Sequence, residues 1–466
     1  MLPDELLLEI FDCHRLATIG DSSGPWKWHR LAHVSRRWRH LIFESPCRLD
    51  LQLVYTYKNP IRKTPDIWPP LPISIWYPRS SQYRRLASED EENVLAALKH
   101  PKRICELELA MTRQLASKSA VSTGVSFPVL ERLHLRSQDT IRSLNIPIGF
   151  LGGSTPQLRH IHLVGTSFPT LPVLLLSTQA LVSLQLDEIP NTGYFSPEEF
   201  VISLTGMAQL KSLKIHFLPP NSHERSIDAT LPNRVILPAL TEFEFKGNCE
   251  YVEDLVSRID APALEQINVT FFEQPTFGIL RLSRFIGRTK EVKSPHHTSI
   301  RLSEDDIIIT QYFRRPSSVS GTFQLQIPCE ELDRQVPLLI HVCRHLSELL
   351  SGVERFDIKA FPRLSSWMEG EEMDSTVWLE LFRPFRGVKK LEVTGELVSS
   401  IASAFERATG EMARIVLPAL RDLHLFDFPS PSASIEPFIA ARQLCNRPVT
   451  VHYEREESLD HTSDND

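Results

Sequence analysis

The sequence predicts an α/β protein in which a short, all-helical N-terminal segment precedes a curved solenoid of repeats built on a parallel sheet. Two observations favour this fold class. The first 48 residues contain two amphipathic helical patterns. From about residue 101 onward, a short strand pattern with two alternating apolar positions recurs in one register. A single unit of this kind cannot bury its own apolar face, so neighbouring units must stack.

Composition indicates a folded soluble chain. The 466 residues carry a formal net charge of -7, and 42% of them are hydrophobic. A mildly acidic chain is a poor non-specific binder of nucleic acid or of an anionic membrane, so we expect neither as a partner. There is no apolar run of about 18 residues and no signal-peptide pattern at the start, which predicts a cytoplasmic or nuclear protein. The 7 cysteines include no C-x-x-C pair, which argues against a zinc module or a disulfide framework.

The first helix is predicted in "LPDELLLEIFD". Pro3 suits the first helical turn, and Asp4 with the next glutamate favours the positive end of the helix dipole. Leu6 with Ile10, and Leu7 with Phe11, form two apolar pairs four residues apart, which gives the helix a wide apolar face.

A second helix is predicted in "WHRLAHVSRRWRHLIFESP", residues 28–46, ending at Pro46. At about 100° per residue, the apolar side chains fall within an arc of about 120°. These are Leu31, Val34, Trp38, Leu41 and Ile42. The arginines and histidines lie outside that arc, whereas a surface on which bases stack would place aromatic and basic groups together. The pattern therefore argues against a nucleic-acid-binding helix.

Together these two helices resemble the F-box, the module that binds the Skp-type adaptor of cullin–RING ubiquitin ligases. The Leu-Pro start, the apolar first helix and a "Leu-x-x-Val-Cys-Arg-Arg-Trp" pattern all have counterparts, although Ser35 replaces the usual cysteine and the segment between the helices is longer. The resemblance implies an F-box at residues 1–48; the alternative is a helical cap on the following domain. The implied adaptor-binding residues are Leu2, Pro3, Leu6, Leu7, Ile10, Phe11, Leu31, Val34, Arg36, Trp38 and Leu41.

Residues 49–100 are predicted to connect the helical segment to the repeats. The passage "IRKTPDIWPPLPISIWYP" has prolines too closely spaced for a helix and predicts extended chain with one strand. The following "SEDEENVLAALKH" predicts a capping helix, with acidic residues at its start and basic residues at its end.

The repeat pattern is clearest in "FPVLERLHL", "TPQLRHIHL", "LPALTEFEF", "APALEQINV" and "LPALRDLHL". Strand-starting apolar positions recur at intervals of roughly 23 to 30 residues, the period of leucine-rich repeats. They are Leu107, Leu133, Ile161, Leu184, Leu213, Phe243 and Ile267, followed less regularly by Phe356, Leu391 and Leu423. Between Ile267 and Phe356 the pattern weakens, and "SIRLSED" and "GTFQLQI" are candidate degenerate copies. A generic α/β domain is the alternative.

A short F-box before degenerate leucine-rich-type repeats is similar to a large set of fungal F-box proteins. The resemblance implies a repeat domain at 101–453 that recruits substrate, while the polar, acidic residues 454–466 are predicted to be a disordered tail. It also implies a substrate-recognition subunit of an SCF-type ligase in the ubiquitin-like conjugation pathway, with a Skp-type adaptor, a cullin reached through it and an unknown protein substrate as partners. The alternative is a scaffold that binds a partner without ubiquitination.

The sequence contains no motif for catalysis. A phosphate-binding loop, H-E-x-x-H and G-x-S-x-G are all absent. The nearest candidate metal site, "HVCRH", offers only His341 and His345 on one helix face, and two ligands make a weak site. We therefore expect no enzyme activity, no catalytic residue, no cofactor and no metal; a hydrolase with an unrecognised site is the enzymatic alternative.

The repeat strands also predict a substrate surface. Side chains that alternate with the inward apolar pair point to the other face of the sheet. In the N-terminal strands they are Arg132, His134, Arg136, His160, His162, Lys214 and His216. Further along they become Glu242 and Glu244, then the mixed set Asp357, Lys359, Lys390 and Glu392. The face is thus predicted to begin basic, suited to an acidic or phosphorylated segment, and to turn acidic; solvated charges without a ligand are the alternative.

Overall fold

The computed structural model shows a mixed α/β chain with a large, mostly parallel sheet. It forms two compact units, Met1–Arg225 and Ser226–Asp466. The structure describes residues 2–17, 28–45, 52–57, 71–77, 86–119, 124–138, 143–219, 234–274, 277–289, 294–313, 321–330, 332–360, 375–395, 397–408, 410–426 and 435–454. Most of the predicted proline-rich connector, and the predicted tail after Glu454, lie outside the described residues.

The first unit begins with three helices, α1 (Asp4–Ala17), α2 (Trp28–Ala32) and α3 (Arg36–Glu44). The prediction of one continuous helix from residue 28 is wrong, because the chain turns between α2 and α3. Ser35 has an extended backbone, and its Oγ accepts a hydrogen bond from the Trp38 N–H at 3.1 Å. This N-cap satisfies a donor at the start of α3, so a new helix begins at Arg36. Pro46, the predicted terminator, lies outside the described residues.

The rest of the first unit alternates strands with helices and turns. Its elements are β1 (Leu53–Tyr55), β2 (Ile73–Tyr77), α4 (Ser88–Leu98), β3 (Ile104–Met111), α5 (Arg113–Ser119), β4 (Arg132–Ser137), β5 (Leu144–Asn145), β6 (His160–Val164), β7 (Thr166–Ser167), α6 (Leu171–Leu176), β8 (Ser183–Ile189), α7 (Pro197–Ser203) and β9 (Ser212–Phe217), with short 3-10 turns at Phe150–Gly153 and Asn191–Gly193. Strands β1-β2-β3-β4-β6-β8-β9 pair in that order, all parallel, and β5 pairs separately with β7.

The predicted strand register is confirmed in this unit. Five predicted inward positions are Cα partners across neighbouring strands: Leu107, Leu133, Ile161, Leu184 and Leu213. Each is 1% exposed or less. Fully burying a leucine or isoleucine side chain stabilises by about 1.5–3 kcal/mol, so this row forms a continuous core beneath the sheet.

The second unit follows the same alternation. Its elements are β10 (Val235–Ile236), β11 (Glu242–Gly247), α8 (Cys249–Ser257), β12 (Ile259–Asp260), β13 (Gln266–Phe271), α9 (Leu280–Arg288), β14 (Pro295–Leu302), β15 (Asp306–Phe313), β16 (Gly321–Pro328), α10 (Leu332–His345), α11 (Ser347–Leu350), β17 (Arg355–Ala360), α12 (Ser375–Phe382), β18 (Lys390–Thr394), α13 (Leu397–Arg407), α14 (Met412–Ile415), β19 (Asp422–Phe426), α15 (Glu436–Leu444) and β20 (Thr450–Glu454). The strand order is β11-β13-β16-β15-β14-β17-β18-β19-β20, and β10 pairs with β12. The predicted partners Phe243 and Ile267, and Phe356, Leu391 and Leu423, are in register.

The weak part of the repeat pattern contains an antiparallel meander. "SIRLSED" and "GTFQLQI" fall in β14 and β16, but β15 lies between them and runs antiparallel to both. Only residues 303–305 separate β14 from β15, which is too short for a parallel crossover of a dozen or more residues. Ser303 N–H donates to the Asp306 carbonyl at 2.9 Å and closes this turn. This stretch therefore does not form the simple copies of the parallel repeat that the sequence predicted.

Close packing around β17 holds the turn that follows α12. The Phe385 ring is buried and stacks on Phe356, with ring centroids 4.1 Å apart and planes at 8°. A Cβ added at Gly387 would lie 2.7 Å from the Ser351 carbonyl oxygen and 3.1 Å from that of Val353. Gly387 is therefore required by the close approach of two backbone segments.

We expect Gly387→Ala to destabilise the second unit by about 1–3 kcal/mol, because the backbone atoms it would meet cannot move independently. Gly352→Ala is the matched control, since a Cβ at Gly352 would meet nothing within 4 Å. Urea unfolding followed by circular dichroism should show a lower midpoint for the first variant alone. Equal midpoints for the two variants would contradict the packing described for this turn.

Candidate partner-binding surfaces

The predicted adaptor-binding residues divide into an exposed set and a core set. Leu2, Leu6 and Ile10 are 51%, 50% and 48% exposed and are spaced four residues apart. Leu6 and Ile10 lie on one side of α1, and Leu2 lies just before the helix begins at Asp4; we call these three residues the N-terminal apolar stripe. Val34, at 60% exposed, lies in the turn between α2 and α3. Pro3 and Arg36 are also exposed.

The remaining predicted residues support the helices from inside. Leu7, Phe11 and Leu41 are buried, while Leu31 and Trp38 are half-buried. The Trp38 ring packs edge-on against Phe11 with centroids 4.8 Å apart, which confirms that the tryptophan belongs with the apolar residues. These five side chains hold α1 to α2 and α3, and their contribution to adaptor binding would be indirect.

Two arginines of α3 join the helices together. Arg37 forms an ion pair with Asp4 and donates to the Leu2 carbonyl at 2.6 Å, so it ties α3 to the start of α1. Arg39 Nε donates to the Ala32 carbonyl at 3.0 Å and ties α3 to α2. Both guanidinium groups thus make structural contacts within the helical segment.

The predicted substrate-binding residues do share one face of the first unit's sheet. Along β4 and β9, and through the first four residues of β6, buried residues alternate with half-buried or exposed ones. The second group contains Arg132, His134, Arg136, His160, His162, Lys214 and His216. We call this side the first sheet face.

Acidic residues missed at the sequence level change the charge of the first sheet face. Arg132 donates to Glu106 through Nε at 2.9 Å and Nη2 at 3.2 Å, a bidentate pair. Glu108 lies beside His134 in the register and accepts a hydrogen bond from Trp76 Nε1 at 2.9 Å. The prediction that this face begins basic is therefore wrong. The alternation in "RICELEL" could have identified both glutamates. Glu106 and Glu108 occupy the outward positions of β3, as Arg132 does on β4.

A histidine array occupies the centre of the first sheet face. His134 and His162 stack with centroids 4.3 Å apart and planes at 12°. Asp187, also missed from the sequence, contacts His162 Nε2 at 2.7 Å and His216 Nδ1 at 2.7 Å. These two hydrogen bonds hold the pKa of the Asp187 carboxyl well below its usual range, so the carboxylate stays charged.

Two basic side chains of this face remain unpaired. In the part of the chain that the structure describes, neither Arg136 nor His160 makes an ion pair or a side-chain hydrogen bond. Burial lowers the pKa of His160, and the nearby Arg132 and Arg159 add to the effect. Arg136 is therefore the strongest candidate on this face for contact with an acidic ligand group.

The sheet of the second unit contains a histidine, a serine and an aspartate that match a catalytic triad in residue types but not in geometry. His297 and Ser299 both bond to the same carboxylate, that of Asp357. A triad requires the hydroxyl to meet the imidazole, which would take its proton, and here the hydroxyl donates to the carboxylate instead. Beside it, Glu392 pairs with Arg355 and Lys390. Burial raises the pKa values of Asp357 and Glu392, but the hydrogen bonds and charges of these partners outweigh it and lower both pKa values, so neither carboxyl is suited to donate a proton near neutral pH.

Metal binding is not indicated within the described ranges, where no group of three or more His, Cys, Asp or Glu side chains could hold an ion. The "HVCRH" histidines have structural contacts instead. His341 Nε2 donates to the Phe277 carbonyl at 2.9 Å, and its ring meets His345 edge-on at 4.7 Å. Cys343 is buried, and burial raises the pKa of its thiol, which disfavours the thiolate that a metal would need.

We predict that His134 makes stability fall on acidification. Burial, followed by the positive charges of His162 and Arg136, lowers the pKa of His134 to about 4, and among the described residues its buried Nε2 has no hydrogen-bond partner. The unfolded chain binds this proton first, from a pKa near 6.5, so stability is lost as pH falls between about 6.5 and about 4. The side chain is 33% exposed, so we expect a discounted loss of about 1–2 kcal/mol.

The measurement compares His134→Gln with the wild type by urea unfolding at several pH values. The variant should gain about 1–2 kcal/mol relative to the wild type between about pH 7 and about pH 4. Gln185→Ala, a non-titrating change on the same face, should differ from the wild type by a constant amount. A pH-independent difference for His134→Gln would show that this imidazole does not titrate as described.

No protein-family model matches the chain, and no curated protein matches it. None of the described helices is both long and apolar enough to span a membrane. The chemistry of the N-terminal apolar stripe and the first sheet face is therefore the ground for a functional proposal.

Proposed function

We propose that this protein is the substrate-recognition subunit of an SCF-type cullin–RING ubiquitin ligase. Residues 1–48 would form an F-box that docks on a Skp-type adaptor, and the residues from 101 to 453 would form a leucine-rich-repeat-like solenoid that holds substrate. Ubiquitin transfer itself would be carried out by other subunits, in the cytoplasm or the nucleus. The N-terminal apolar stripe is the observation that carries this proposal.

The stripe supports the proposal of a binding partner, because the helices beneath it are already packed without it. Phe11, Trp38 and Ile42 fill the space between α1 and α3, yet Leu6 and Ile10 are still about half exposed in the full chain. Burying the exposed half of such a side chain gains about 1 kcal/mol, so the stripe and Val34 together would contribute several kcal/mol to docking. A helical cap on the following domain would instead have this stripe covered.

Substrate would bind through groups that have no partner among the described residues. On the first sheet face these are Arg136 and His160, beside the Arg132–Glu106 pair and the histidine array. A guanidinium without an internal partner has its donors available for a carboxylate. Arg136 therefore supports recognition of an acidic segment of the substrate.

The adaptor proposal predicts that Leu6→Asp combined with Ile10→Asp abolishes co-purification of the Skp-type adaptor, because two carboxylates would be desolvated at the docking surface. Leu7 is unsuitable for this test because it is 3% exposed, and its replacement would disrupt the helices. The matched control is Leu176→Asp with Ile202→Asp, two residues of α6 and α7 that are 53% and 45% exposed.

The readout is affinity purification of the full chain, with quantification of the adaptor and of a cullin. Unchanged adaptor recovery by the Leu6→Asp, Ile10→Asp variant would reject the F-box proposal. Recovery of the adaptor without a cullin would favour a scaffold that works without ubiquitination. Circular dichroism of the purified variants serves as the check on folding.

The substrate-surface proposal predicts different results for two arginines of the first sheet face. Arg136→Gln should lower the recovery of partners other than the adaptor, because it removes an unpaired donor group. Arg132→Gln should change that recovery little, since Glu106 already uses this guanidinium. Quantitative mass spectrometry with the adaptor as internal reference is the measurement. Identical partner sets for both variants and the wild type would place recognition elsewhere.

A further inference from the structure

A basic cleft lies in the second unit, where the end of α10, the short α11 and the turn after α12 come together. Its volume is about 430 Å³, within the range of ligand-binding clefts. The lining includes three guanidinium groups, two serine hydroxyls and one carboxylate. They belong to Arg344, Arg383, Arg386, Ser347, Ser351 and Glu348.

The walls of this cleft are held in place by the core. Arg383 and Arg386 are separated by Pro384 and Phe385, both buried, and Phe385 stacks on Phe356 at 4.1 Å. On the opposite wall, the Ser351 N–H donates to the Ser347 carbonyl at 3.0 Å. The close approach at Gly387 joins the two walls directly. The backbone that carries the arginines is therefore fixed before any ligand arrives, which lowers the entropic cost of binding.

The charges of the cleft are not balanced internally. Arg344 is paired with Glu380. Within the described residues, the side chains of Arg383 and Arg386 have neither an ion pair nor a hydrogen bond, although both line the same space. Glu348 is the one carboxylate among the lining residues, and it is exposed. Two unpaired guanidinium groups in one cleft repel each other, and an anion placed between them would remove that repulsion.

We propose that this cleft binds a phosphate monoester carried on a serine or threonine of a partner protein. A phosphate group has close to two negative charges and three acceptor oxygens, enough to meet both unpaired guanidinium forks and a serine hydroxyl. All three arginines are exposed, so a protein segment can reach them from solvent. A cleft volume of about 430 Å³ leaves room for residues that flank the phosphate.

This site goes beyond the proposed ligase function and does not depend on it. It is built from α10, α11 and the turn after α12, and no residue of the N-terminal apolar stripe or the first sheet face takes part. A chain that binds no adaptor would still bind a phosphorylated segment here.

The test uses the purified full chain and fluorescence anisotropy. The probes are a labelled peptide pool with a central phosphoserine or phosphothreonine between degenerate positions, and the same pool without phosphate. We expect the phosphorylated pool to bind the wild type and to bind Arg383→Glu, Arg386→Glu about tenfold more weakly or worse. The matched control, Lys246→Glu with Arg421→Glu, makes the same change in charge at exposed residues of the same unit outside the cleft.

Several outcomes would overturn the proposal. Equal affinity for the two pools, or a loss in the control as large as in the cleft variant, would show that the cleft does not select phosphate. Competition by inorganic phosphate as strong as by the peptide pool would mean a site for the free ion. If the glutamate variant fails to unfold cooperatively on heating, Arg383→Gln with Arg386→Gln replaces it, with the same expected direction. Adaptor recovery is measured in parallel and should stay unchanged, which separates this result from the ligase proposal.

Discussion

The constraint on which the described structure depends is that a short parallel strand buries only two or three side chains and needs neighbours to cover them. Leu107, Leu133, Ile161, Leu184 and Leu213 meet this need by lying in one register, each almost without exposure. A slip of one residue would turn every buried leucine toward solvent. The same register also decides which side chains meet on the opposite face, so core packing and surface chemistry are determined together.

The sequence predicted this register, the face on which Arg132 and its neighbours lie, and the packing of Trp38 among apolar residues. It did not predict the break at Ser35, because helical periodicity cannot detect a side chain that caps a new helix. The antiparallel strand β15 was missed altogether, because its continuous apolar run "IIIT" lacks the alternation that identified the other strands. The cleft that contains Arg383 and Arg386 was also missed, since its walls come from segments that only tertiary packing brings together.

Formal charge along a strand proved a poor guide to the chemistry of the sheet. Neighbouring parallel strands are about 4.8 Å apart, so an outward charge has close neighbours on both sides. Glu106 forms an ion pair with Arg132, Asp187 pairs with two histidines, and Asp357 pairs with His297. Such internal pairs reduce the number of charged groups that a partner protein could contact. Among the described residues, Arg136 on the first sheet face and Arg383 and Arg386 of the cleft are basic groups left without such a pair.

The meander in the second unit shows how such a stack can accept extra chain. Paired residues of β3 and β4 are 26 positions apart, whereas those of β13 and β16 are 56 apart. Doubling a loop costs only about 0.6 kcal/mol of closure entropy, less than the burial of one leucine restores. Ile267 still pairs with Phe323, and Ile300 with Ile358, so the hydrophobic row resumes on both sides of the insertion. The stack can therefore hold a longer connection in its middle without any change in the register of its core.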